Sequence, residues 1–251
     1  MHNDVGNLVD KSDTNLPSLL SPIDRVYYVN QFGAEIQPPP SSNVVTALQS
    51  SHGIIYGMGS LYTSIIPSLI LMGIGTVIRN AKTPKILLLN SWEDRETVGM
   101  NAIDYIVAIT KALLRNDDKG IIRQAGFRYD AINGVGYSFE SDSELDIGIK
   151  EFSMRASENL VVDYLLKCGA QHYVNTIFFI DCPLVRANIM SNTVQSKLQE
   201  MGIECIGLKG VVHLDNISLS ESSSPVRHVF QFQTQELIES LRKILSKGAK
   251  A

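Results

Sequence analysis

The sequence predicts an α/β fold, a Rossmann-like three-layer sandwich around a mainly parallel sheet. Two observations carry this. First, short apolar runs without alternation recur at Gly53–Gly57, Lys85–Asn90 and Val174–Ile180, as strands buried on both faces do. Second, the stretches between them have helical periodicity, and the Gly57–Lys85 interval suits one βαβ unit of roughly thirty residues. Composition agrees: 251 residues, 44% apolar and 19% charged, are enough to build a sizeable core.

Residues 1–22 read as a flexible tail, polar and rich in Asn, Asp and Ser. From residue 23 to 251 the chain reads as one α/β domain. Asp24–Asn30 carries β-formers and predicts a strand. Pro38-Pro39-Pro40 with Ser41-Ser42 predicts a stiff loop running into an N-cap and a short helix through Ala47. A strand at Gly53–Gly57 precedes a polar turn and a helix from about Ser64 to Asn80, apolar nearly all round. Then come the Lys85–Asn90 strand and a helix at about Asn101–Arg115. Residues 116–150, with their Gly, Asn and Asp clusters, read as a loop-rich insertion. Beyond them the pattern predicts a helix at Ser157–Leu166, a strand at Val174–Ile180, a helix at Thr193–Glu200, a strand at Ile203–Leu208 and an amphipathic helix at Gln235–Lys247.

Several function classes are disfavoured. Twenty-two Lys and Arg against 26 Asp and Glu give a formal charge of −4, so no nucleic-acid partner is implied. Gly53–Ile78 contains no Asp, Glu, Lys or Arg, yet Gly57, Gly59, Ser60, Thr63, Ser64 and Pro67 interrupt it, which favours a buried helix over a membrane span of about 20 apolar residues. The first twenty residues lack the apolar run of a secretory signal. Cys168, Cys182 and Cys205 are scattered without CxxC spacing and read as reduced thiols of a cytoplasmic protein. His52, His172, His213 and His228 show no ligand spacing. Asp181-Cys182-Pro183 reads as a turn that reaches a pocket mouth or simply ends a strand, and a nucleophilic Cys182 has no histidine partner in sequence.

The chemistry-bearing segment is Gly57-Met58-Gly59-Ser60-Leu61-Tyr62-Thr63-Ser64, between a strand and a helix. Glycines let a ligand approach the backbone, hydroxyls donate, and a helix start offers free N–H groups, so the segment suits a phosphate. A purely structural strand-to-helix turn is the other reading. No Gly-Lys-Ser/Thr follows, which excludes a Walker A loop, and Tyr62 stands where G-x-G-x-x-G has its third glycine. After the next strand come Asn90 and Asp94-Arg95-Glu96-Thr97. Asp94 and Glu96 suit a divalent cation, Mg²⁺, bridging phosphate oxygens, and Arg95 suits a leaving diphosphate. The same residues equally suit helix capping. Trp92 stacks on a base or plugs the loop.

GIIYGMGSLYTSIIPSLI, followed by Asn90 and Glu96-Thr97-Val98-Gly99, resembles the family of CofD (2-phospho-L-lactate transferase) and YvcK, convincingly over residues 41–110. Trp92-Glu93-Asp94-Arg95 resembles the eukaryotic branch. The resemblance implies a nucleotide-diphosphate conjugate as ligand. In the transferase, a 2-phospholactyl group passes from a guanosine diphospho-carrier to a deazaflavin hydroxyl with a divalent metal. In the YvcK-like branch the site holds a nucleotide sugar and the protein regulates carbon metabolism and cell shape.

By position, Gly57, Gly59, Ser60, Thr63, Ser64, Arg95 and Thr97 would bind phosphate or nucleotide, and Asn90 and Glu96 would line the pocket. Asp94 and Glu96 would serve as catalytic or metal-binding carboxylates. The family's glycine-rich first strand and turn is not found before Gly53, so the sequence reads as the C-terminal part of a longer protein or a natural truncation, with an inactive fragment as a third reading. The expected partners are a nucleotide-diphosphate conjugate or nucleotide sugar, with no nucleic acid or membrane, and a homodimer is compatible.

Overall fold

The computed structural model describes residues 19, 21–91, 96–114, 127–130, 135–138, 169–214 and 228–248. At its centre is a four-stranded parallel sheet of order β3-β4-β7-β8, formed by Ile54–Tyr56, Lys85–Leu88, Thr176–Ile180 and Glu204–Leu208 and flanked by helices. Ile55 lies beside Ile86, Ile86 beside Thr176 and Thr176 beside Glu204. Every residue of β4 and β7 is buried, which is why these runs carry no alternation. β3, at an edge, buries Ile54 and Tyr56 and exposes Ile55.

The Asp24–Asn30 strand is shorter than its β-forming composition suggested. Only β1, Tyr28–Val29, is strand, paired antiparallel with β2, Glu35–Ile36, across a turn where Gly33 has φ 78°. An Arg25–Glu35 ion pair of 3.0 Å ties the hairpin, and the Tyr28 hydroxyl donates to the Pro67 carbonyl at 3.1 Å. Helix α1 runs Ser42–Ser50, three residues beyond the expected end.

The single helix expected over 64–80 is corrected. The chain winds as a π-helical segment at Leu61–Ile65, continues as α2 at Ile66–Leu69, breaks, and resumes as α3 at Ile74–Asn80. Gly73, at φ 76°, makes the break, a backbone conformation that glycine adopts without steric penalty. The two pieces are bent by 84°, and among the described residues no single helix is long and apolar enough to cross a membrane. Side chains of Leu61, Tyr62, Ile66, Leu69, Ile74 and Ile78 fill the core instead.

Helix α4, Ala102–Leu114, starts with two local bonds: Asp104 Oδ2 accepts from Asn101 N–H, and Asn101 Oδ1 accepts from Ile103 N–H. It packs against α3 so closely that the Gly75 position abuts the Leu113 carbonyl. Within the expected insertion an antiparallel pair is present, β5 at Phe127–Asp130 and β6 at Val135–Ser138. The helix expected at Ser157–Leu166 and Cys168 lie outside the described residues, as does the tail except for residues 19, 21 and 22.

After β7, Asp181 and Cys182 lead into a helix not foreseen in the sequence, α5 at Pro183–Asn188, with proline in its first turn. Helix α6, Asn192–Glu200, is capped by Ser191, whose hydroxyl accepts from Val194 N–H. A second antiparallel pair was not foreseen: β9, Gly210–Leu214, with β10, His228–Phe232. Helix α7, Thr234–Gly248, lays Leu237, Leu241, Ile244 and Leu245 against the core.

Candidate functional site

The site is built where β3 and β4 end, at the carboxyl edge of the sheet, where open α/β sheets collect ligands. Past Tyr56 the chain surfaces: Gly57 and Met58 are exposed, and a Cβ at Gly57 would meet nothing within 4 Å. Gly59 is different. A Cβ there would stand 3.0 Å from Ser64 Cβ, so glycine lets the loop fold back on the helix it starts. Leu61 and Tyr62 then plunge into the core, at 0% and 2% exposure, while Thr63 and Ser64 stay on the surface. The Ser60 carbonyl accepts from both Ser64 N–H (3.0 Å) and Ile65 N–H (3.2 Å), which gives the widened first turn.

Two side chains from the end of β4 hold this loop. Asn90 Nδ2 donates to the Gly59 carbonyl at 3.0 Å. Glu96, 7% exposed, reaches under the helix start: Oε2 accepts from Tyr62 N–H and Thr63 N–H, both at 3.1 Å, and Oε1 accepts from the Thr63 hydroxyl at 2.7 Å. A carboxylate on the first amides of a helix satisfies donors that have no intrahelical partner and sits at the positive end of the dipole. The Glu96 backbone is held as well, since its carbonyl accepts from Ile23 N–H at 2.9 Å. Glu96 thus braces the loop from behind, one of the roles that a capping residue fills.

The structure brings together Gly57, Gly59, Ser60, Thr63, Ser64, Asn90 and Glu96 around one loop. Thr97 it places inside, 1% exposed, with its hydroxyl accepting from Tyr105 Oη at 3.3 Å. Beyond it Gly99, at φ 72°, turns the chain back, and Met100 N–H donates to the Thr97 carbonyl. Trp92, Asp94 and Arg95 lie outside the described residues. Among the described residues no three His, Cys, Asp or Glu side chains stand together as a metal site. The amides of Met58 and Gly59 meet no acceptor among the described residues, so the outer face of the loop keeps free donors.

Sequence reading missed three supports. Tyr62 is one: burial foremost, then the nearby Asp24 and Asp104 carboxylates, push its phenol well above the ordinary range, so it stays neutral beneath the loop. The second is Ile23, which ties the start of the domain to Glu96. The third lies at the end of β7, where Arg186 grips Asp181 through its Nε and, at 2.8 Å, its Nη2. This bond holds the Asp181 carboxyl below the usual carboxylate range. No local signal marks such pairs, which form only when the chain folds.

Cys182 is the half-buried N-cap of α5, and burial together with Glu204 pushes the Cys205 thiol up to about 11. At neutral pH Cys205 then holds a far smaller thiolate fraction than an ordinary thiol. Iodoacetamide at neutral pH is expected to leave it unmodified in the native chain while unfolded chain reacts readily. Mass spectrometry reads the outcome, and rapid native labelling at Cys205 would contradict this burial.

A parallel sheet with a glycine-serine loop at a strand's carboxyl end defines a Rossmann-like α/β protein. The chain belongs to the 2-phospho-L-lactate transferase CofD family, whose model matches residues 5–156. It is 35% identical over 152 residues to "Uncharacterized protein YNL011C" of Saccharomyces cerevisiae, covering 57% of this chain and 34% of that protein. It is 34% identical over 82 residues to a Deinococcus radiodurans protein called "Putative gluconeogenesis factor", covering 32% of this chain and 18% of the other. A Nostoc protein of the same description is 37% identical over 76 residues, covering 30% and 17%. These matches span about a third or less of the relatives' lengths. Among solved structures, protein BH3568 of Bacillus halodurans superposes with TM-score 0.47 at 17% identity, covering 88% of this chain and 51% of that one.

Proposed function

We propose that the Gly57–Ser64 loop binds the diphosphate of a nucleotide conjugate, in a site of the phospholactyl-transferase type. The observation that carries this reading is the division of labour at the loop. The Tyr62 and Thr63 amides and the Thr63 hydroxyl are taken by Glu96, while the Met58 and Gly59 amides have no acceptor among the described residues and Ser64 is exposed beside them. Amides aimed from a glycine loop hold an anion without any lysine. Ser60 and Asn90 lie beside that face, and Asn90 keeps Gly59 in place.

In this reading Glu96 is a positioning residue for the loop. Asp94 and Arg95 remain the proposed groups for Mg²⁺ and for a departing diphosphate, and Thr97 acts from the interior by fixing the turn that carries Glu96. The described residues do not form a metal site by themselves. Transfer would be favoured by donors that meet negative charge developing on the diphosphate as it departs. The second reading, a nucleotide-sugar-binding regulator without catalysis, is favoured by the relatives that carry the gluconeogenesis-factor description.

Thermal melts of the chain with GDP, GTP and UDP-sugars, each with and without Mg²⁺, test both. A ligand at a hundred times its Kd adds about 2.7 kcal/mol, roughly 5–10 °C for a chain of this size. A rise with guanosine nucleotides that needs Mg²⁺ supports the transferase reading, and a rise with UDP-sugars supports the regulator. A cooperative melt that none of them moves would defeat both.

A further inference from the structure

The opposite edge of the sheet carries a separate cluster. Arg79 lies in the last turn of α3, with its guanidinium 5.9 Å over the Tyr173 ring and Nη1 donating to the Tyr173 hydroxyl at 3.4 Å. Lys85 opens β4 at only 4% exposure, and its Nζ donates to the Ala81 carbonyl just past the end of α3. His172 stands exposed beside Tyr173, close enough that Arg79 and Lys85 both disfavour its protonation. Among the described residues no carboxylate pairs with Arg79 or with Lys85.

That is unusual chemistry to leave uncompensated. A buried ammonium without a counter-charge is disfavoured, and a single carbonyl uses one of its three donors. Arg79 likewise spends its fork on a neutral phenol. The two connections that bring the cations together also hold buried oxygens without partners, Thr83 Oγ1 and Gln171 Oε1. The end of α3 supplies some negative potential, but partial charge at a helix end balances about half a unit.

We infer that Arg79, Lys85 and His172 form an anion site at the amino edge of the sheet, which takes a phosphate group. A phosphate dianion accepts several hydrogen bonds at once, suits the guanidinium, and offers charge enough for an arginine and a lysine together. From Lys85 to Asn90 the strand direction spans about 17 Å, so this site is distinct from the glycine loop and does not depend on how that loop is read. Inorganic phosphate and a phosphate monoester share the chemistry.

The imidazole of His172 reports on occupancy. Burial, then Arg79 and Lys85, hold its pKa below the ordinary value of about 6.5 in the folded chain. The unfolded chain therefore binds more protons in that window, and this residue's contribution to stability is complete above it and lost as pH falls. A bound phosphate offsets the positive charge of Arg79 and Lys85, raises the His172 pKa and reduces that loss.

The experiment follows the His172 ring resonances of the whole chain by NMR against pH, with sodium phosphate, phenyl phosphate or sodium chloride at matched ionic strength. Saturable movement with phosphate, an upward shift of about one unit and no such response to chloride are expected. Arg79→Met should weaken binding about tenfold or more, as the loss of a charged hydrogen-bonding partner does. Because Arg79 also packs on Tyr173, His172→Gln, at an exposed position, serves as the second variant, with phosphate binding measured by calorimetry. It is expected to melt like the parent and bind phosphate more weakly. Phenyl phosphate binding as well as phosphate identifies a site open to monoesters, and phosphate alone a site for the free ion. Equal responses to chloride and phosphate, or undiminished binding in both variants, would overturn the assignment.

Discussion

Glu96→Ala is expected to destabilise the chain by about 3 kcal/mol, lowering its melting temperature by roughly 6–12 °C. The carboxylate accepts from two backbone amides and one hydroxyl at a position 7% exposed. Alanine leaves those donors without a partner in a place that water reaches poorly, and each such group costs about 1–3 kcal/mol. Glu96→Gln tests the charge separately. Its oxygen can still accept from Thr63, but its NH₂ then faces the Tyr62 and Thr63 amides, donor against donor. Both variants are expected to bind nucleotide conjugates at least about tenfold more weakly, because the loop amides lose their anchor. A Glu96→Ala melt within a degree of the parent would show that the loop holds itself without this brace.

The second large effect is expected at Gly75. A Cβ there would lie 2.1 Å from the Leu113 carbonyl oxygen and 2.9 Å from its carbon, both backbone atoms of α4. No side-chain rotation relieves that contact, so Gly75→Ala forces α3 and α4 apart. The expected loss is about 3 kcal/mol, at the upper end for overpacking. Gly57→Ala is the control, since the position faces open space and is expected to change stability by less than about 0.5 kcal/mol. Urea unfolding of the two variants side by side measures the contrast. Equal midpoints would mean that the helices yield more easily than their packing indicates.

Much of the frame was legible because it is written locally. The runs KILL and TIFFI are strands covered on both faces, as their lack of alternation indicated, whereas IIY lies at the sheet edge with Ile55 exposed. The glycine loop was legible as a loop because it too is written locally, with Gly59 at the one place where the backbone must close on Ser64. The break at Gly73 was harder. Its neighbours are apolar on all sides, so the periodicity runs straight through, and only the left-handed backbone there shows the bend. The β9–β10 pair escaped the sequence reading, and among the described residues these two strands pair with each other and stand apart from the central sheet.

At the site, residue types were readable and roles were not. Glu96 suits a metal ligand, a base and a helix cap equally well in sequence. Its place under Tyr62 and Thr63, more than thirty residues away, makes it a brace. Thr97, adjacent to it, turns inward to Tyr105. Neighbouring residues in a loop share a sequence context but point in different directions, and direction is fixed by packing.

The sequence by itself therefore determined the α/β class, the positions of the central strands along the chain, the glycine-serine loop between the first two and the family, since these follow from hydrophobic period, spacing and a contiguous motif. Only the tertiary structure decided which donors of the loop are spent internally, that α3 breaks away from α2, and that Arg79 and Lys85 gather beside His172 at the far edge of the sheet. Those outcomes rest on contacts between residues far apart in the chain, and no local pattern encodes which of the available partners a buried polar group will meet.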